Sequence, residues 1–192
     1  MLGTYRLAYL TLGVSFLTVT VHANPSPSTD EAQQLHNWYV EMAGVFFLEA
    51  WDLNEHREQL VGGKVLLARN MGPNRAIGVQ TALLHVVPSP SQNAFLPAWS
   101  FVLRQNLIRF RSFSILAEGS GGLSYASTQI PRLGTRFNFV SQVGLGLQSH
   151  QSANGQFITG FHWLHLSNNS LNGSSRNPDI QAIGMYLGWR LP

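Results

Sequence analysis

Between residues 38 and 190 the chain runs in stretches of ten or so residues in which large apolar side chains alternate with small or polar ones. Successive side chains of a strand point to opposite faces, so a period of two marks strands with one apolar face. Reading that period between turn signals gives eight segments: 38–48, 59–68, 75–86, 94–105, 111–123, 136–148, 155–167 and 179–190. Each has about the 9–11 residues that a tilted strand needs to cross a bilayer. Beyond residue 21 no stretch approaches the ~20 apolar residues of a membrane helix. Only helices and closed barrels satisfy every backbone group inside lipid, so the pattern predicts an antiparallel eight-stranded transmembrane β-barrel, an all-β fold.

The sense of the alternation is consistent. Trp38, Val40, Met42, Phe46 and Leu48 oppose Tyr39, Glu41, Ala43 and Glu49 in the first segment. Phe137, Phe139, Val143, Leu145 and Leu147 oppose Asn138, Gln142, Gly144, Gly146 and Gln148 in the sixth. In the last, Ile183, Met185, Leu187 and Trp189 oppose Ala182, Gly184, Tyr186, Gly188 and Arg190. Large apolar residues toward lipid and small or polar ones toward a narrow interior fit a small barrel. Charged residues are only 11% of the chain, against roughly 25% in ordinary soluble domains, which leaves too little charge to cover a water-facing surface. A soluble sandwich or lipocalin-like barrel would also alternate, but it would have to hide all these large residues in one small core. Glu41, Glu49, Lys64, Arg104 and Glu118 fall mostly on the interior parity, where opposite charges can pair.

The N-terminus carries one basic residue, Arg6, then an apolar run from Leu7 to Val21 and the small-x-small pattern Val21-His22-Ala23. This reads as a secretory signal peptide over residues 1–23, with a single barrel domain over 24–192 and an exposed lead-in from Pro25 to Gln34. The chain has no cysteine, so disulfides, thiolate zinc sites and cysteine nucleophiles are excluded. Loss of Arg6 with the signal peptide takes the formal net charge from +3 to +2, a mild excess that suits an anionic lipid surface and is too small to argue for nucleic-acid binding.

The seventh segment ends in chemistry. Phe157, Thr159, Phe161, Trp163, His165 and Ser167 share one face, so an apolar stripe terminates in a base and a hydroxyl. Backbones two residues apart on a strand are roughly 6.5–7 Å apart, a gap an imidazole leaning along the strand can close. In an outer-membrane barrel with both termini on the periplasmic side, the seventh strand rises outward, which puts His165 and Ser167 near the outer leaflet. The eighth strand begins at Asp179-Ile180-Gln181, and by parity Asp179 and Gln181 lie on the same face as His165. A carboxylate or an amide there could orient the imidazole as the third member of a triad. His162 lies on the opposite parity and reads as an interior hydrogen-bonding residue, and His36, His56, His85 and His150 show no metal-ligand spacing.

His165-Leu166-Ser167-Asn168, then Asn177-Pro178-Asp179-Ile180, then the final strand Gly184-Met185-Tyr186-Leu187-Gly188-Trp189 resemble the outer-membrane lipid A 3-O-deacylase family. The glycine-rich runs 117–123 and 142–147 are similar as well. The resemblance implies a serine esterase that removes a 3-hydroxyacyl chain from lipid A, with Ser167 as nucleophile and His165 as general base. It further implies that Asn168 and the backbone N–H near Ser170 form the oxyanion hole; the strand face itself lets the acyl chains of an amphiphile in the outer leaflet lie against Phe157, Phe161 and Trp163 while its ester meets Ser167. The family's third triad member is a Glu just inside the last strand, and the matching position is Gln181; Asp179, two residues away, is the other candidate. No cofactor and no metal is implied, the partners are lipopolysaccharide and the outer membrane, and a second copy of the chain is a candidate neighbour. The rival reading is a catalytically silent barrel of the same fold that binds lipopolysaccharide, for which Gln in place of Glu is the support. A diffusion pore is disfavoured because eight strands leave an interior just filled by side chains.

Overall fold

The computed structural model describes residues 38–50, 58–87, 92–131, 133–150, 152–171, 173 and 179–191. The expected signal peptide, the lead-in, His36, His56 and Asn177-Pro178 lie outside the described residues. Eight strands form one closed antiparallel barrel in sequence order: β1 (Trp38–Glu49), β2 (Gln59–Asn70), β3 (Arg75–Val87), β4 (Ala94–Arg109), β5 (Phe113–Ile130), β6 (Thr135–Ser149), β7 (Gln156–Ser167) and β8 (Ile180–Arg190). Closure is made by β1 against β8, from Glu41 opposite Arg190 to Glu49 opposite Ala182. With no sheet edge left, the ladder satisfies its own backbone, which is what hydrocarbon requires. β2 passes to β3 and β4 to β5 through the short connections 71–74 and 110–112 at the end that also holds Trp38 and Arg190, the short-turn end, while β1 and β7 finish at the opposite, loop end.

The strand spans agree with the alternation to within two residues except in β4, which runs to Arg109 rather than stopping at Gln105, and in β5, which runs to Ile130 rather than stopping at Leu123. Ser124, Ala126 and Ile130 stay buried while Tyr125, Ser127 and Gln129 are exposed, so the period continues through a Ser-rich stretch that reads like a turn. The ladder there slips register between Tyr125 and Ile130, opposite Phe137 and Thr135.

Inside and outside divide as the parity predicts. Met42, Val79, Phe101, Leu103, Val143, Phe161, Met185 and Leu187 all point outward, Phe101 at 76% exposure. A belt of large apolar side chains around the whole circumference is a surface for lipid rather than water. The interior has two zones. At the loop end it is packed with fully buried Leu60, Val86, Leu96, Leu164, Leu166 and Ile180. Toward the short-turn end it holds an ion network: Arg104 bonds Glu41 at 2.6 Å and also Glu118, Lys64 meets Glu118 at 3.3 Å, and Arg190 meets Glu41 at 2.7 Å. His162 faces inward, with Nδ1 3.2 Å from Gln142 Oε1 and Nε2 3.4 Å from Glu118. Glu49, expected among these interior charges, sits at the loop-end rim and accepts the Glu58 backbone N–H at 3.0 Å.

Candidate active site

Strand pairing turns the outward faces of β6, β7 and β8 into rungs. Ser141, His165 and Gln181 form one rung, and the next toward the loop end is made by Phe139, Ser167 and the approach of Asp179 to β8. Toward the short-turn end the rungs are apolar: Val143, Trp163 and Ile183, then Leu145, Phe161 and Met185. Val143, Leu145, Phe161, Trp163 and Ile183 line a shallow apolar groove with the bare backbone of Gly144 at its base. Rungs two residues apart are separated by about 6.5–7 Å along the strand, so the groove runs directly into the polar rungs. An acyl chain lying in it would carry its ester to Ser167.

The imidazole of His165 closes the gap that strand geometry leaves. Its Nε2 lies 3.1 Å from Ser167 Oγ, and its ring stacks on the Trp163 indole at 5.7 Å between centroids with 18° between planes. If Nε2 is to accept the serine proton, Nδ1 must carry the ring hydrogen. Nδ1 faces Asp179, whose Oδ2 is 3.5 Å away, an ion-pair contact longer than a formed hydrogen bond. Catalytic hydrogen bonds commonly stay this loose until substrate arrives. Gln181, directly opposite His165 in the ladder, turns its Nε2 to the same Asp179 Oδ2 at 2.9 Å. Ser167 is buried, while the side chains of His165 and Asp179 keep 29% and 22% of their surface open.

Asn168 follows Ser167 and is almost completely buried at 2% exposure. Its Nδ2 donates to Thr135 Oγ1 at 3.0 Å, and its Oδ1 accepts the Ser170 N–H at 2.9 Å. Asn169 and Ser170 then take φ of 51° and 60°, the left-handed region that costs a non-glycine residue about 1–2 kcal/mol. The chain is thus folded back sharply just past the serine, and both expected oxyanion donors hold intramolecular partners in this arrangement. Thr135 and the Trp163 stack are contributions that strand parity does not reveal. Thr135 is 33 residues from Asn168 in sequence, and stacking depends on which way two rings lean. Among the described residues no group of three or more His, Asp or Glu side chains is placed to hold a metal ion.

A family model described as lipid A 3-O-deacylase (PagL) matches residues 90–190, which takes in β4 to β8 and every residue of the site just described. No curated protein matches the chain.

Proposed function

The chain belongs to the lipid A 3-O-deacylase (PagL) family, an outer-membrane barrel family, and we propose that it is itself a serine esterase that hydrolyses the 3-O-linked 3-hydroxyacyl ester of lipid A in the outer leaflet. The single observation that carries the proposal is the 3.1 Å contact between His165 Nε2 and Ser167 Oγ on a lipid-facing wall, where a hydroxyl and a base have no structural reason to be. His165 takes the proton as Ser167 Oγ attacks the ester carbonyl. The tetrahedral oxyanion is held by Asn168 and the Ser170 N–H, which exchange their present partners for it. Collapse expels the 3-oxygen of the sugar, which receives the proton from His165, and leaves the acyl group on Ser167. Water, deprotonated by His165, then attacks the acyl-enzyme; as the bond from the acyl carbon to Ser167 Oγ breaks, His165 returns the proton to Ser167 and the 3-hydroxy fatty acid is released.

The proposal is tested with protein folded in detergent and incubated with lipopolysaccharide, the lipid product being weighed by mass spectrometry. A loss of one 3-hydroxyacyl group that disappears in Ser167→Ala is the expected result. Equal release by the variant would refute it. Labelling of Ser167 by a fluorophosphonate separates an activated serine from the silent-barrel alternative.

A further inference from the structure

We infer that Asp179 is the positioning carboxylate of His165, and that Gln181 holds Asp179 in place. This rests on the esterase reading above. The family pattern points to a Glu at the position of Gln181, and strand pairing indeed sets Gln181 straight across from His165. Yet the contacts are divided otherwise. The group facing Nδ1 is Asp179 Oδ2, at 3.5 Å, and the Gln181 amide spends its Nε2 on that same oxygen, at 2.9 Å.

Side-chain chemistry makes this division self-consistent. An amide carbonyl turned to the carboxylate would set two acceptors against each other, so the presence of Asp179 fixes which end of the Gln181 amide faces it. With its NH₂ committed to Asp179, Gln181 brings no charge to the imidazole. Asp179 is acceptor-only and carries the negative charge that favours the imidazolium formed when Ser167 gives up its proton. The two polar rungs lean toward each other. Imidazole leans toward Ser167 at the loop end, which carries Nδ1 toward the level of Asp179, and Asp179 leans back to meet it. The negative charge thus stands two residues before Gln181, just outside β8, and Gln181 acts as its clamp.

The experiment measures 3-hydroxy fatty acid release from lipopolysaccharide by the detergent-folded protein and four variants, each first shown to be folded by far-UV circular dichroism and heat-dependent gel mobility. Asp179→Asn should lose about 10²–10⁴-fold in rate, the range of a lost triad carboxylate. Gln181→Ala should lose much less, about tenfold, because Asp179 remains but is less well held. The double variant Asp179→Asn with Gln181→Glu returns the charge to the family's position and should recover at least about tenfold over Asp179→Asn alone, a rescue that a merely structural role for Asp179 would not give. Rates for Asp179→Asn within threefold of the parent, or a Gln181→Ala loss equal to or greater than it, or no rescue in the double variant, would each overturn the inference. Ser167→Ala keeps the two readings apart. Ser167-dependent release with an indifferent Asp179→Asn defeats this inference alone, whereas release that ignores Ser167 defeats the esterase reading and this one with it.

Discussion

His165 is held on three sides: by Ser167 ahead, Asp179 behind and the Trp163 indole beneath. An imidazole that must pass a proton between two oxygens gains from a flat apolar support, because small misplacements of a base are costly in rate. Trp163→Ala should therefore lower deacylation about ten- to a hundredfold, and Trp163→Phe should restore most of it by keeping an aromatic surface under the ring. Parallel losses in both variants would show that the indole serves only the acyl groove. The pairing of His165 with Ser167 was legible from sequence because parity is strict, and two residues along a strand always share a face. The choice between Asp179 and Gln181 was not, since both have that parity and only the lean of the side chains separates them. Thr135 was invisible for another reason: nothing local to Asn168 announces a partner at the start of β6.

At the scale of elements, the alternation located all eight strands and their faces, since a one-residue slip would have turned every large side chain inward. It stopped β5 short because Ser and Thr weaken the contrast on which the pattern depends, even though Ser124 and Ala126 continue the buried row. The β6–β7 pair carries a constraint of its own. Gly144 lies opposite His162, and a Cβ there would collide with Phe161 O and the His162 ring. A side chain at that position would pry apart two strands of the site. Gly144→Val should prevent the barrel from reaching its folded, heat-modifiable form, whereas Gly121→Ala, where a Cβ meets nothing within 4 Å, should fold as the parent does. Equal folding yields for the two variants would contradict this account.

Across the whole molecule, the interior is held by contacts that join strands far apart in sequence. Arg104 on β4 reaches Glu41 on β1 and Glu118 on β5, and Arg190 on β8 reaches Glu41 as well. Charges so deeply buried are tolerated only in pairs, and removing one partner leaves the others uncompensated. Arg104→Met should cost about 3–5 kcal/mol of stability, read as a lower urea midpoint for the barrel refolded in lipid, and the triple change with Glu41→Gln and Glu118→Gln should regain part of that loss. A midpoint unchanged in Arg104→Met would show that the network carries little weight.

The polar rungs stand on the outer wall of the barrel and open sideways, so the proposed reaction takes place in two dimensions. Encounter is then governed by how crowded the leaflet is with lipid A, not by how much lipid A the flask contains. Dilution of mixed micelles with buffer should leave the rate unchanged, while dilution with inert detergent should slow it in proportion to the falling mole fraction of substrate. In that reaction both products would begin inside the same sheet of lipid, and the shortened lipid A would have to diffuse sideways out of the groove between β6 and β8 before its neighbour could take the place.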